Sequence, residues 1–517
     1  MGFGFKPFLT LQRYEFASVS PRLIELIKQI DAGQAYQSVQ NANLLKLTSM
    51  HIEQIYTGCL AAAAYYIESN GEAAIIDPLR ESAPYLERAA RDGARIKYVL
   101  ETHFHADFVS GHLDLAAKTG ASIVFGPGAS PSYPAHVATH LEELPLGNVR
   151  IRVLHTPGHT LESSCYLLID EEGKEHALFT GDTLFLGDVG RPDLVQKVKA
   201  EITPEFLAGK LYDSLREQIM PLADSLIIYP GHGAGSACGK NMSCDRVDTL
   251  GNQKKTNYAL REDMTREEFI KELVSGLTEP PAYFPSNVLM NLQGGISSVD
   301  ALLRKGTKAL SPVAFKVAWE AMDAIVIDTR HQDQFVEEHI PGSIFIGLHE
   351  SFAPWVGTLI KPLSVPILFV AEEGKEQEVV TRLARVGYDN PIGFLSGGIA
   401  AWKSAGFDTD FINEIPADAL EVIYNETIAS QIIDVRREKE FSTVHLKDAT
   451  NVPLDYINKL MQKLDAASTY YIYCAGGYRS VIFISILKAR GFHHLINIQG
   501  GFKNIRSLSL PLEQEFA

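Results

Sequence analysis

Short apolar runs recur along the chain between residues 55 and 230, and each leads into Asp, His or Gly. The runs are AAIIDP (73–78), YVLETH (98–103), IRVLHTPGH (151–159), LFTGD (178–182) and IIYPGH (227–232). Runs of this length are typical of β-strands, and the helical segments between some of them indicate an α/β or α+β domain. We therefore expect the polar residues that follow these strands to lie on loops along one edge of a sheet.

A helical pattern over residues 265–277 begins with a capping box and is ended by the prolines of EPPAYFP (279–285). The sequence that follows, LQGGISSVDALLRKG (292–306), is typical of a linker into a new unit. We place a domain boundary near Gly295.

The remaining part of the chain contains an internal repeat. IVIDTRHQDQFVEEHIPGSIFI (325–346) matches QIIDVRREKEFSTVHLKDATNV (431–452), and LSGGIAAW (395–402) matches IQGGFKNI (498–505). The sequence therefore predicts two copies of one small α/β fold.

The two copies differ in the loop after one predicted strand. YYIYCAGGYRS (470–480) in the second copy faces ILFVAEEGKEQ (367–377) in the first. Cys474 is thus matched by Ala371, and Arg479 by Glu376. Only the second copy has the residues for thiol chemistry, so we expect the first to be inactive and to bind substrate, bridge the active domains or support assembly.

Length and composition exclude several classes of protein. A chain of 517 residues is too long for one hydrophobic core, and 46% hydrophobic with 21% charged residues is ordinary for a globular protein. The net charge of -16 argues against a nucleic-acid or anionic-membrane partner. The longest apolar run near the start of the core, 59–67, is too short to span a bilayer. Five cysteines suit a reducing compartment, so we expect a soluble, cytoplasmic protein.

The first 49 residues have neither the apolar core of a signal peptide nor an Arg-rich transit pattern. A strand-like stretch, MHIEQIYTG, begins at Met50. We expect the ordered catalytic domain to start there and treat residues 1–49 as an extension of unknown role.

Six possible metal ligands stand at the ends of the predicted strands. They are His103, His105 and Asp107 in THFHADFVSGH, His159 in HTPGHT, Asp182 in FTGDT and His232 in YPGHG. A single histidine is more often a structural residue than a ligand. Six such residues at strand ends instead indicate a metal site.

This pattern resembles the metal motif of the metallo-β-lactamase superfamily, over Met50 to Gly295. Two-metal members of that superfamily use the residue after Asp107 as a ligand of the second ion, and here that residue is Phe108, which cannot coordinate. We therefore expect one metal. Two histidines and one carboxylate form the facial triad typical of Fe(II) enzymes that activate dioxygen, so we expect Fe(II) rather than zinc.

A closer resemblance is to persulfide dioxygenases, in particular to fusions of that enzyme with rhodanese domains. ETHFHADFVSGH, HTPGHTLESSC, GDTLFLGDVGRPDL, YPGHGAGSACGKN and EPPAYFP are similar to that group in the same order. The resemblance implies that His103, His159 and Asp182 hold the iron. It also implies that His105, Asp107 and His232 support them by hydrogen bonds, and that a thiol persulfide is oxidised by O2 to sulfite and thiol.

Two residues near this motif keep two interpretations each. Arg191 either binds a carboxylate of the thiol carrier or forms a salt bridge to Asp188 or Asp193. Cys238 is either a sulfur acceptor near the iron or a buried residue, and the second interpretation is slightly preferred.

Cys474, Gly477 and Arg479 form a Cys-x-x-Gly-x-Arg loop between a strand and an apolar helix predicted to begin near Ser480. Such a loop directs backbone N–H groups and a helix N-terminus at the sulfur, which stabilises a thiolate or persulfide. We expect catalysis by Cys474 and Arg479, and substrate binding by the loop residues Gly476, Gly477 and Tyr478.

The thiol loop and its surroundings resemble a rhodanese, with Asp434–Arg436 and Gly500–Gly501 as its framework. Rhodaneses usually have a His-Ile-Pro-Gly run, which the first copy keeps as His339 to Gly342. The second copy has HLKDATNVP (445–453) instead.

The expected fold class is α/β, a metallo-β-lactamase αββα sandwich followed by two rhodanese-like α/β domains. The expected domains are 1–49 (extension), 50–295 (persulfide dioxygenase), 296–412 (inactive rhodanese) and 413–517 (active rhodanese). Expected partners are persulfides of glutathione, coenzyme A or a similar thiol, with O2, sulfite and thiosulfate, in a homo-oligomer that binds neither nucleic acid nor membrane.

The expected activity is persulfide oxidation coupled to thiosulfate formation through Cys474, or the reverse sulfur flow. Two other hypotheses remain open. One is a glyoxalase II-like thioester hydrolase, which Phe108 argues against, and the other is a non-catalytic sulfur carrier or scaffold, which the Cys474 loop argues against.

Overall fold

The computed structural model describes residues 50–194, 202–424 and 431–514. The predicted extension, residues 1–49, lies outside the described residues. Each of the five apolar runs that predicted a strand forms one, and the predicted helix begins with its capping box. That helix ends at Val274 rather than Leu277, because Ser275 is extended and two prolines follow at 280 and 281.

The first part of the described chain forms two six-stranded sheets. The strands are β1 His51–Thr57, β2 Ala62–Ser69, β3 Glu72–Ile76, β4 Arg95–Glu101, β5 Ser122–Phe125, β6 His136–Val137, β7 Glu143–Leu146, β8 Val149–His155, β9 Ser164–Ile169, β10 Glu175–Gly181, β11 Ile227–Pro230 and β12 Asp248–Thr249. The helices are α1 Ala83–Asp92, α2 His112–Thr119, α3 Pro204–Ser214, α4 Leu250–Thr256, α5 Arg266–Val274 and α6 Phe284–Gln293. The sheet orders are β1-β2-β3-β4-β5-β6 and β12-β11-β10-β9-β8-β7.

The two sheets pack face to face between layers of helices. Tyr65 on β2 contacts Phe179 of the second sheet edge-on, with ring centroids 5.0 Å apart. Its neighbour Tyr66 points the other way, into an apolar cluster of β2, β3 and β4 with α1 and α2. A second cluster joins β8, β9 and β10 to α3 and α5. The expected αββα sandwich is confirmed.

Two further five-stranded sheets follow, with matching strand orders. The first copy has β13 Ala309–Leu310, β14 Ile325–Asp328, β15 Ile344–Phe345, β16 Ile367–Val370 and β17 Pro391–Leu395, and helices α7 Val299–Gly306, α8 Pro312–Met322, α9 Gln332–Glu337, α10 Phe352–Leu359, α11 Glu376–Arg385 and α12 Gly398–Ser404. The second has β18 Asn413–Ile415, β19 Ile432–Asp434, β20 His445–Leu446, β21 Thr450–Asn451, β22 Tyr470–Tyr473, β23 Leu495–Ile498 and β24 Leu512–Glu513, and helices α13 Ala419–Ile423, α14 Glu438–Thr443, α15 Ile457–Leu460, α16 Tyr478–Ala489 and α17 Gly501–Ile505. The orders β13-β17-β16-β14-β15 and β18-β23-β22-β19-β21 are the same, which confirms the repeat.

The repeated residues make the same contacts in both copies. Arg330 pairs with Asp328, and Arg436 with Asp434, through two charge-assisted hydrogen bonds in each case. Where the first copy has Gly342 with a φ of 82°, the second has Asp448 with a φ of 62°. The departure from His-Ile-Pro-Gly therefore keeps the left-handed turn, which Asp tolerates better than most residues.

The first copy is fixed to the sandwich by buried polar contacts. Arg80, after β3, forms a salt bridge to Asp389 and donates to the carbonyl of Ala384 at 2.7 Å. Glu81 pairs with Arg385, whose carbonyl accepts a hydrogen bond from Val109 N at 2.7 Å. No helix in the described part of the chain is long and apolar enough to cross a membrane.

Candidate metal centre and thiol loop

Four strands of the sandwich end beside one another and present the predicted ligands. His103 follows β4, His159 follows β8, Asp182 follows β10 and His232 follows β11. All four side chains are buried. The polar residues at these strand ends therefore converge, but they come from both sheets of the sandwich rather than from one edge of a single sheet.

The ligand atoms of His103, His159 and Asp182 lie within 4.8 Å of one another, a separation that a single metal ion can bridge. His159 Nε2 is 3.5 Å from Asp182 Oδ2. Among the described residues, neither carboxylate oxygen of Asp182 has a hydrogen-bond partner, although both are buried. Buried carboxylates rarely remain unpaired, so this carboxylate fits a metal ligand.

Hydrogen bonds at Nδ1 orient the imidazole rings of His103 and His159. His159 donates from Nδ1 to the carbonyl of Arg191 at 2.8 Å, and His103 donates from Nδ1 to Thr102 Oγ1 at 3.0 Å. Thr102 in turn donates to Asp77 at 2.8 Å, so its oxygen is free to accept. Each Nε2 is left with its lone pair. Burial and the neighbouring imidazoles also hold the pKa of His103 well below its usual value, which keeps the ring neutral.

A second group of possible ligands contains Asp107, His232 and Cys238, whose ligand atoms also lie within 4.8 Å of one another. His232 Nε2 is 3.5 Å from both Asp107 Oδ2 and Asp182 Oδ1, and its Nδ1 donates to the carbonyl of Ala61. Burial, reinforced by Asp182 and Asp107, raises the pKa of Cys238 well above the usual value. Cys238 is buried, as the second interpretation held, and it also lies beside two residues of the metal motif. A role for Cys238 as a sulfur acceptor stays a prediction.

His105 points into a third group, with Asp77 and Glu101. Its Nε2 lies 3.1 Å from Asp77 and 3.4 Å from Glu101. Burial lowers the pKa of His105, but the two carboxylates outweigh it and raise that pKa well above its usual value. Burial also raises the pKa of Glu101 to about 7. Phe108, which stands at the position of a possible ligand for a second metal, stacks on the His105 ring with 4.2 Å between centroids.

Arg191 has its guanidinium engaged within the protein. It donates to Asp193 through two bonds of 2.6 and 2.7 Å, and to the carbonyls of Ala237 and Thr278. Of the two interpretations, the salt bridge to Asp193 is the one seen. A role for Arg191 in binding substrate stays a prediction.

The thiol loop directs hydrogen bonds at Cys474. Gly477 N donates to the sulfur at 3.0 Å, and Ser480 Oγ lies 3.6 Å from it. Gly477 has a φ of 108°, a backbone conformation that favours glycine, and helix α16 begins directly after it, two residues before the predicted start. The sulfur thus lies at a helix N-terminus.

Arg479 is held beside this loop by a residue that the sequence did not single out. It donates to Glu440 through two bonds of 2.7 and 2.8 Å. A cavity of about 350 Å³ opens over Cys474. It is lined by Cys474 to Gly476, Tyr478, Arg479 and Arg437 and, from the first copy, Glu350 and Trp355. Sequence reasoning missed Arg437, Glu350 and Trp355, because no motif links them to Cys474.

Comparisons with known proteins agree with this architecture. A model of the metallo-beta-lactamase superfamily matches residues 57–232, and a model of the rhodanese-like domain matches 314–405 and 417–508. A probable hydroxyacylglutathione hydrolase of Schizosaccharomyces pombe is 33% identical over 236 residues, which cover 41% of this chain and 85% of the relative.

Two solved structures are also similar. A metallo-beta-lactamase from Staphylococcus aureus subsp. aureus COL is 32% identical, covers 67% of this chain and 99% of its own, and has a TM-score of 0.59. ETHE1 from Myxococcus xanthus is 27% identical, covers 48% of this chain and 100% of its own, and has a TM-score of 0.41.

Proposed function

We propose that the chain is a bifunctional enzyme of persulfide metabolism. It belongs to the metallo-β-lactamase superfamily and carries two rhodanese-like domains. Its sandwich oxidises a low-molecular-weight thiol persulfide with O2, giving sulfite and the thiol. Its second rhodanese-like copy transfers a sulfane sulfur through Cys474 to sulfite, giving thiosulfate. The first copy has no cysteine and has no sulfur transfer of its own.

The observation that carries the proposal is the group formed by His103, His159 and Asp182. Two oriented imidazoles and a buried carboxylate without hydrogen-bond partners among the described residues fit one Fe(II). Bound there, Fe(II) would supply O2 activation and open positions for both reactants.

The surrounding residues of the chain prepare this site. Phe108 and Tyr283 belong to a buried apolar cluster at the site and exclude water from it. Ala61 and Arg191 hold His232 and His159 in place through their carbonyl oxygens. The ion pair of His105 with Asp77 and Glu101 fixes the loop that carries His103 and Asp107.

Sulfur transfer at Cys474 needs a thiolate and a place for the persulfide that forms on it. The Cys474 thiolate attacks the terminal sulfur of the donor persulfide, the donor S–S bond breaks, and the carrier leaves as a thiol. Sulfite then attacks the terminal sulfur on Cys474, which releases thiosulfate and restores the thiolate. Gly477 N, 3.0 Å from the sulfur, stabilises the negative charge in both steps.

The test is to load the full chain with Fe(II), supply glutathione or coenzyme A persulfide, and follow O2 uptake with sulfite and thiosulfate. We expect O2 uptake in the wild type and in Cys474→Ser, with the product shifting from thiosulfate to sulfite in the variant. Cys244→Ser is the matched control, because Cys244 is exposed and outside both sites. Absence of O2 uptake would refute the oxidation, and an unchanged product ratio would remove Cys474 from the reaction.

A second candidate function is thioester hydrolysis. Two observations favour it: the S. pombe relative is a probable hydroxyacylglutathione hydrolase, and Asp107, His232 and Cys238 offer ligands for a second ion. Hydrolysis of this kind commonly uses a hydroxide held by two metals. Two zinc ions per purified chain, with turnover of a hydroxyacyl glutathione thioester, would favour this function over persulfide oxidation.

A further inference from the structure

The cavity over Cys474 is lined by both copies of the repeated fold. Glu350 and Trp355 reach it from the first copy, and Arg437 and Arg479 from the second. Its volume of about 350 Å³ lies at the lower end of the range for small-molecule sites. The copy without a cysteine is therefore part of the wall around the reactive sulfur.

Contacts between the copies fix this wall in position. Tyr478, in the thiol loop, donates from its hydroxyl to the carbonyl of Gly347 at 3.2 Å. Its ring contacts Phe345 edge-on at 5.5 Å, and Phe345 N donates to Ser485 Oγ on α16 at 3.0 Å. Glu350 and Trp355 follow Phe345 closely in sequence, so the same contacts place them at the cavity.

The charges in the cavity are not those of a site for a small anion alone. Arg479 is already paired with Glu440. Arg437 contacts Asp455 only through Nε at 3.3 Å, and its terminal nitrogens donate no hydrogen bond to any described residue. The Glu350 carboxylate, which can only accept, receives no hydrogen bond from the described part of the chain.

The Glu350 carboxylate weakens the attraction that Arg437 and Arg479 exert on small anions such as thiosulfate and sulfite, without preventing the sulfite attack on Cys474. The same carboxylate attracts a ligand that carries a positive group, while Arg437 attracts a carboxylate of that ligand. Trp355 adds an aromatic face on which an ammonium group or an apolar stem can pack.

We propose that the first copy supplies the carrier-binding wall of the Cys474 site, and that the carrier is a zwitterionic, amino-acid-derived thiol whose ammonium group pairs with Glu350 and whose carboxylate pairs with Arg437. This inference rests on the proposed sulfur transfer through Cys474 and adds the chemical class of the donor. In the transfer the terminal sulfur moves to Cys474, and the carrier leaves with the electron pair of its S–S bond and is protonated to the thiol. No oxidant or reductant is needed.

The test compares two donors that differ only in the ammonium group: glutathione persulfide and the persulfide of N-acetylglutathione. Each transferred sulfur atom adds about 32 Da to Cys474 of the full chain. The rate of this mass increase is measured by alkylation and mass spectrometry. We expect the wild type to favour the unacetylated donor by about two- to fivefold, since a partly exposed charge pair contributes that much. Glu350→Gln should remove the preference by slowing only the unacetylated donor, and should speed sulfuration by thiosulfate.

The matched control is Glu373→Gln, an exposed glutamate of the first copy outside the cavity, which should keep the wild-type preference. Equal rates for both donors in the wild type, or an unchanged preference in Glu350→Gln, would overturn the inference while Cys474 is still sulfurated. If no donor, thiosulfate included, sulfurates Cys474, the proposed sulfur transfer fails and this inference fails with it.

Discussion

Replacing Asp389 by alanine should destabilise the first rhodanese-like copy, because it leaves a buried charge without its partner. The Arg80 side chain is 2% exposed, and Asp389 is 29% exposed. Arg80 keeps only the carbonyls of Ala384 and Ser297 when the carboxylate is removed. Breaking a fully buried pair costs about 3–5 kcal/mol, and the partial exposure of Asp389 reduces this to about 2 kcal/mol.

The chain offers a fluorescence probe that reports on this copy alone. Its three tryptophans, Trp319, Trp355 and Trp402, all lie in the first copy. Urea unfolding followed by tryptophan emission therefore measures the domain that Arg80 contacts. With a slope of about 2 kcal/mol per molar urea, the expected loss moves the midpoint by about 1 M.

Lys375→Ala is the matched control. Lys375 forms a salt bridge to Glu378 in the same copy, but the two side chains are 44% and 35% exposed, so this pair is in contact with water. Its expected effect is below about 0.5 kcal/mol. Adding Arg80→Met to Asp389→Ala should recover part of the loss, since the unpaired guanidinium is then gone. A midpoint for Asp389→Ala that equals the control would refute the reasoning.

Two further predictions concern the sites. Glu440→Gln should slow sulfur transfer several-fold, because Arg479 loses its two charge-assisted hydrogen bonds. Burial raises the pKa of Glu440, but Arg479 outweighs burial and the net shift of that pKa is downward. The stability that the pair contributes is therefore present above the pKa of Glu440 in the unfolded chain, and it is lost as the pH falls through the pKa of Glu440 in the folded chain. Urea midpoints of wild type and variant, followed by circular dichroism because the tryptophans all lie in the first copy, should therefore converge in acid. A difference that persists there would contradict the assignment. Removing metal with a chelator should lower the melting temperature of the sandwich in calorimetry, because the oxygens of Asp182 lose their partner. Metal at a hundredfold excess over its Kd stabilises the folded state by about 2.7 kcal/mol, and this contribution is lost. Elemental analysis should find one ion per chain in both wild type and Cys238→Ala, and a fall from two ions to one in the variant would show a second site.

Local patterns in the sequence predicted most of the framework. Each strand that leads into His103, His159 or Asp182 is a short apolar run followed by a polar residue, and this local pattern is typical of a buried strand. The Cys474 loop is equally local, since Gly477 N reaches the sulfur from three residues away. The repeat was visible because Asp328–Arg330 and Asp434–Arg436 need the same spacing to pair.

Contacts between distant segments could not be predicted in this way. Cys238 lies beside Asp107 on a loop without regular periodicity, so its position six residues after His232 left two interpretations open. Glu440 precedes Arg479 by 39 residues, and Glu350 and Trp355 belong to a different copy from Cys474. Such pairs depend on how whole domains pack, which periodicity along the chain does not encode.

Helix α10 contacts both the Cys474 cavity and the sandwich that carries the metal centre. Trp355 lines the Cys474 cavity, and Gly357, two residues later, packs against the ring of Tyr283 in the sandwich. A Cβ at Gly357 would lie 2.3 Å from that ring, so only glycine allows this close approach of the helix to Tyr283. Tyr283 belongs to the same buried apolar cluster as Phe108 and Cys238 at the metal centre. Helix α10 therefore contacts the wall of the Cys474 cavity through Trp355 and the sandwich through Gly357. Because the proposed oxidation and the proposed sulfur transfer belong to one chain, the sulfite that the first would form meets Cys474 at a raised local concentration, which favours thiosulfate over release of sulfite.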